Sequence, residues 1–265
     1  MHFDFEVLLL AATLVAAIIW VLDMLLWRKA RRAAGTVAPW WIDYGCAFAP
    51  ILLLVLVLRS FIVEPFRIPS NFMMPTLLTG DFILVNKFAY GVRLPVFHTK
   101  LFSVDEPSRG DVAVFRYPVD PSQDYIKRVV GLPGDVIGYR GKRLIIDGRP
   151  VPQRPIDTYV GVGSSAPMNG ALRVSEALPG AEHELLISAV PYDAGPGCHF
   201  LSEGPRTIPA GHYLVMGDNR DASSDSRCWG LVPEQNLVGR AFFIWFNADV
   251  AHGVFQWSRI GGSVR

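Results

Sequence analysis

The sequence has almost no net charge, few cysteines, no internal repeat and, beyond its apolar start, no sustained helical periodicity. Each absence excludes something. The 25 Lys and Arg against 24 Asp and Glu leave a net charge of +1, so there is no basic field for nucleic acid and no acidic tail. The three cysteines, Cys46, Cys198 and Cys228, lack metal-ligand spacing, and their odd number argues against a disulfide framework. Cys198 and Cys228 can pair only if the fold brings them together. Asp218, Asp221 and Asp225 cluster near Arg220 and Arg227, but they miss the turn glycine and terminal glutamate of an EF-hand loop. They read as a turn stiffened by internal ion pairs and side-chain-to-backbone bonds. No metal or organic cofactor is indicated.

What the chain does have is apolar sequence, 51% of residues, with a mean hydropathy of +0.28, unevenly spread. Val7–Trp27 is long enough to cross a hydrocarbon core of about 30 Å, with Asp23 near enough to its end to reach the headgroups. Acidic residues precede this run, and Arg28, Lys29, Arg31 and Arg32 follow it. That polarity is the reverse of a cleaved signal peptide and predicts a retained span with the basic loop in the cytoplasm. Tyr44–Val63 reads as a second span, with Trp40 and Trp41 at the interface and Arg59 placed to snorkel. The expected organisation is a span over 1–27, a cytoplasmic basic loop over 28–43, a span over 44–63 and an extracytoplasmic domain over 64–265. An inserted lobe covers about 136–209.

The extracytoplasmic part reads as mainly β: an antiparallel β-sheet domain with a smaller inserted β lobe, tethered by two N-terminal transmembrane helices. Asp81–Phe88, Asp111–Tyr117, Tyr125–Gly131, Arg143–Ile146, Glu184–Ala189, His212–Met216 and Gly239–Phe246 are β-branched and aromatic runs bounded by turn residues. Pro152–Arg206 is poorer in strand signals. In Tyr125–Gly131, alternation puts Lys127 and Arg128 on opposite, largely apolar faces, so one of the two cations is expected to be partly buried. A buried lysine loses preference for its charged form and can serve as a base. The competing reading is a solvated lysine whose stem packs on its neighbours. Ser223 and Ser224 are suited to hydrogen-bond a neutral amine.

The stretches PSNFMMPTLLTGDFILVNKFAYG, RGDVAVFRYP, YIKRVVGLPGD and GDNRDASSDSRCWGLVPE, in this order after two spans, resemble the signature boxes of bacterial signal peptidase I. The resemblance covers nearly the whole chain apart from Pro152–Arg206. It implies a membrane serine peptidase of the bacterial inner membrane, with its main domain on the periplasmic side. Such an enzyme removes signal peptides from exported preproteins after Ala-x-Ala-like sites. It works through a Ser/Lys dyad, in which a serine attacks the scissile carbonyl and a neutral lysine carries the proton. On this sequence the resemblance implies Lys127 as the base, Ser223 as the hydroxyl that orients it and Ser70 as an oxyanion hydroxyl. Asp225 and Arg227 would form a structural ion pair. Phe66, Ile68, Met73, Leu77, Ile83, Val114, Tyr125 and Ile126 would line two shallow apolar pockets.

The resemblance breaks at one position. The family pattern is Pro-Ser-Gly-Ser-Met-Met-Pro-Thr, and this chain reads Pro69-Ser70-Asn71-Phe72-Met73-Met74-Pro75-Thr76. Phe72 stands where the nucleophilic serine is expected, and a phenyl ring has no atom to attack with. Asn71 replaces a glycine and suits a positive φ if the loop needs one. The chain is therefore expected to be inactive or severely impaired. It is either a peptide-binding pseudo-peptidase or an altered copy of a working enzyme. Ser70 as a substitute nucleophile is disfavoured, because near-attack geometry tolerates errors of only about an ångström. A two-span assembly protein would have no need of small pockets, and self-cleaving repressor-type Ser/Lys proteins lack the paired spans.

Overall fold

The structure, a computed structural model, describes residues 5–93, 100–189 and 197–264. The chain divides into two compact units, Met1–Glu64 with Val92–Phe102, and Pro65–Gly91 with Ser103–Arg265.

The first unit is a helical hairpin. One helix runs Phe5–Leu22, continues through a π-helical turn at Asp23–Trp27 and resumes over Arg28–Ala34. It stops at Gly35, whose φ of 64° is left-handed, a conformation glycine adopts without steric cost. The second helix runs Trp40–Val57 and ends in a π-helical turn over Leu58–Ile62. Both are long and apolar enough to cross a membrane, at mean hydropathies of 2.5 and 2.1. Gly45 lets them touch: a Cβ there would fall 2.8 Å from Ile19 Cγ2. Most of the 28–43 segment is helical, so the loop narrows to residues 35–39. Asp23 is buried and paired with Arg31, a counter-charge that stabilises a carboxylate facing the apolar hairpin.

The second unit is built on a seven-stranded sheet in the order Val63–Arg67, Asp81–Asn86, Leu237–Asn247, Val112–Arg116, Asp124–Gly131, His212–Met216, Val232–Pro233. The pairings resolved within it are antiparallel. Alternation does the sorting: Asp81, Ile83 and Val85 are buried, while Phe82, Leu84 and Asn86 are half-exposed. The inserted region carries two smaller sheets. One joins Arg206–Thr207, Val136–Arg140, Arg143–Ile146 and Arg149–Pro150. The other joins Gln153–Thr158, Leu172–Leu178 and Ala181–Ile187. So the segment expected to be poor in strands holds a three-stranded sheet. Gln153–Thr158 hides it because five of its six residues are exposed and one is proline. Leu172–Leu178 hides it because Leu, Glu and Ala favour helices in isolation. Cys198 and Cys228 form a disulfide, and Cys46 is free.

Candidate active site

The site is assembled where strand Asp124–Gly131 runs past two loops. Its neighbour Val112–Arg116 pairs along Arg116↔Asp124 to Val112↔Arg128. On the other side, His212–Met216 pairs only with Arg128, Val129 and Gly131. Among the described residues, no strand covers the second edge of Asp124–Lys127. That open edge can accept an extended peptide by strand addition.

Lys127 lies at the end of this open stretch and is only 1% exposed. Its Nζ donates to Ser223 Oγ at 3.0 Å. The ring of Phe72 lies over the same nitrogen, 4.1 Å from its centroid, and that of Tyr125 stands 5.9 Å away. Burial pushes the Lys127 amine down to about 7, against the upward pull of the Asp225 and Asp218 charges. At neutral pH a large fraction of this amine is therefore unprotonated and able to accept a proton. Ser223 follows the 3₁₀ turn Arg220–Ala222 and is extended, at φ −121° and ψ 127°.

Two close approaches bring the halves of the site together. The Phe72 carbonyl accepts from the Asn219 backbone N–H at 3.0 Å, and the Asn71 carbonyl accepts from Asn219 Nδ2 at 3.0 Å. Gly217 makes room: a Cβ there would fall 2.6 Å from the Phe72 carbonyl and collide with Ser223 Oγ. Asn71 does not use a positive φ. Among the described residues only Lys142 and Asp147 do so without being glycine, so an asparagine is accommodated there by ordinary backbone. Ser70 is half-buried at the bend that enters this loop.

Asp225 and Arg227 form the expected pair, fully buried, with two side-chain bonds of 2.8 Å. Asp225 also accepts from Gly217 N at 3.0 Å and caps the short helix Ser226–Trp229 through Arg227 N. Burial pushes its carboxyl up, but Arg227 outweighs this and leaves it below the usual carboxylate range. The other charges of this turn do not pair internally, a correction to the sequence reading. Asp218 takes Arg128 through bonds of 2.8 and 2.6 Å and Thr76 at 2.5 Å. Arg220 takes Glu176, and Asp221 takes Lys142 at 2.9 Å. Both cations of the strand are thus buried, where one was expected. Sequence reasoning missed Arg128, Thr76, Glu176 and Asn219. Only the Arg128 side chain had left a signal, as a charge on an apolar face.

Of the pocket residues, Ile68, Met73, Leu77, Ile83 and Val114 are buried in one cluster, with Phe66 and Ile126 packed against it. Tyr125 belongs to the opposite face, with Phe115 and Val129. Half-exposed Phe66 and Ile126 make the cluster's accessible rim.

Residues 41–246 match the family described as signal peptidase, peptidase S26. The chain belongs to the bacterial signal peptidase I family. It is 44% identical to the signal peptidase I of Pseudomonas fluorescens, over 93% of both chains, and 44% identical to that of Pseudomonas aeruginosa with the same coverage. Against the Haemophilus influenzae signal peptidase I the identity is 36%, over 78% of this chain and 70% of the relative. The family is one of serine peptidases, which are hydrolases. Its antiparallel fold and two apolar N-terminal helices are those described above.

Proposed function

We propose that this chain carries the Ser/Lys machinery of a signal peptidase with the nucleophile's place filled by Phe72, so that it binds preprotein cleavage regions without cutting them efficiently. The single observation that carries the reading is the Lys127 amine. It is dry, depressed to about 7 and bounded by Ser223 on one side and the Phe72 ring on the other. A serine at residue 72 would sit beside this amine. Lys127 would then take the hydroxyl proton as oxygen attacks the scissile carbonyl, and return it to the departing amine. Ser70 serves the oxyanion, Ser223 orients Lys127, and the Asp225–Arg227 pair keeps the turn in shape.

The preprotein lies extended along the open edge of Asp124–Lys127. Its residues before the scissile bond face Phe66, Ile68, Met73, Leu77, Ile83, Val114 and Ile126. So shallow an apolar rim suits alanine-sized side chains and hence Ala-x-Ala-like sites. On this reading the two apolar helices are spans of the bacterial inner membrane, and the β-domain lies on the periplasmic side. The alternative role, a membrane-anchored receptor for signal-peptide ends, keeps this binding surface and drops the chemistry.

Cleavage of a preprotein by the full detergent-solubilised chain is the test. The native chain is expected at or near background, and Phe72→Ser is expected to restore cleavage after the Ala-x-Ala site. Strong native activity that survives Ser70→Ala would overturn the reading of a missing nucleophile.

A further inference from the structure

On the Lys127 side of the sheet stands an aromatic ladder that the machinery above does not use. The Tyr117 and Tyr125 rings stack face to face, 4.4 Å apart and inclined by 2°. Trp229 meets Tyr117 edge-on at 5.5 Å and also packs on Phe115 at 5.9 Å. All three ladder residues are half-exposed. The ladder is rigidly held: Tyr117 N–H donates to Gln123 O at 2.8 Å, Trp229 follows the disulfide cysteine Cys228, and its helix is capped by Asp225. The indole N–H of Trp229 is buried and finds no hydrogen-bond partner among the described residues.

Proton delivery says what crosses this surface. With a serine nucleophile at residue 72, once the acyl–oxygen bond has formed and the C–N bond breaks, the proton held on Lys127 Nζ would go to the leaving nitrogen. That nitrogen must therefore lie within hydrogen-bond reach of Nζ. Residues before the scissile bond occupy the opposite, aliphatic face. The chain beyond the leaving nitrogen then departs on the lysine side, where Tyr125 is the ring next to Nζ after Phe72. We infer that the Tyr125–Tyr117–Trp229 ladder is the binding surface for the first residues of the mature protein, those just after the scissile bond. It favours apolar or aromatic side chains there, since flat rings offer large contact area to such groups. The inference rests on the Ser/Lys reading of Lys127.

The test is photo-crosslinking with peptides spanning an Ala-x-Ala site, applied to the full native chain in detergent, which needs no turnover. One peptide carries benzoylphenylalanine at the second residue after the scissile bond. The other carries it at the fourth residue before, outside the alanine pair. The first is expected to label Tyr117, Tyr125 or Trp229, and the second the Phe66–Ile83 region. Tyr117→Ala is expected to lower the first labelling at least fivefold and leave the second unchanged, which also shows that the variant is folded. Should Tyr117→Ala lose both labels, Trp229→Phe, which keeps an aromatic ring but shortens the flat surface, is expected to keep the second label and weaken the first. Labelling before the bond as expected, with labelling after it elsewhere or insensitive to both substitutions, overturns the ladder and leaves the Ser/Lys reading standing. Absence of both labels in the native chain overturns both.

Discussion

Strand Asp124–Gly131 buries one cation on each side and treats the two oppositely. Arg128 is 1% exposed and met by a carboxylate through two bonds, with Thr76 and the Gly110 carbonyl completing its shell. Lys127 is 1% exposed and met by a hydroxyl and an aromatic face. Burial is the same, so it does not by itself make a base. Two things differ: the side chain, since a guanidinium keeps its proton where a buried amine readily loses it, and the partner. A carboxylate neutralises a guanidinium that stays charged, whereas a hydroxyl accepts from the ammonium and can donate to the neutral amine. Asp225 is near enough to raise the Lys127 amine without bonding it, and its charge is already spent on Arg227. The proposed base thus depends on withholding a counter-ion from Lys127 while supplying one to its neighbour Arg128.

The comparison can be broken at four points, in decreasing order of effect. In the Phe72→Ser background, Lys127→Ala is expected to lower kcat on a preprotein by about 10³-fold, within the range for loss of a general base. Retention of turnover would remove lysine from the chemistry. Arg128→Met leaves the Asp218 carboxylate buried without its partner and is expected to cost about 3–5 kcal/mol in denaturant unfolding of the full chain. A cost below about 1 kcal/mol would show that Asp218 has other support.

Lys127→Met should act in the opposite direction. The folded amine is depressed below its unfolded value, so the native state loses stability as pH falls from about 10.5 to about 7, and the penalty is complete below that. Met is therefore expected to stabilise the chain by a few kcal/mol at pH 7, with the gain fading as pH rises towards about 10.5. An equal gain at both ends of that window would mean that packing, not charge, is responsible. The smallest effect belongs to the ring. Phe72→Leu keeps the site dry but removes a π-face worth about 0.5–1 kcal/mol to an ammonium. The Lys127 titration is expected to move down by less than one pH unit, and an upward move would show that the substitution admits water.

Much of this was legible in the sequence, for reasons particular to each part. The strands of the large sheet could be read because Val, Ile, Phe and Tyr alternate between turns, and Arg143–Ile146 and His212–Met216 match residue for residue. The lysine could be located because it sits in an apolar run. Charge partners could not be read, since Arg128 and Asp218 lie 90 residues apart and Arg220 and Glu176 lie 44 apart. Local clustering instead suggested pairing within the turn, true only of Asp225 and Arg227. The Gln153–Thr158 strand was hidden because it is an exposed edge held by backbone pairing to Leu172–Leu178. Phe72 was visible as a break in a motif. That its ring covers the lysine amine could be known only from the fold.

The most direct measurement is a ¹⁵N-detected NMR titration of the Lys127 side-chain nitrogen in the native, full-length chain. A midpoint near 7, lost in Lys127→Met, is the predicted result. A midpoint near 10, the value of a hydrated lysine, would contradict a dry, poised proton acceptor and with it the reading of this site as a peptidase lacking only its nucleophile.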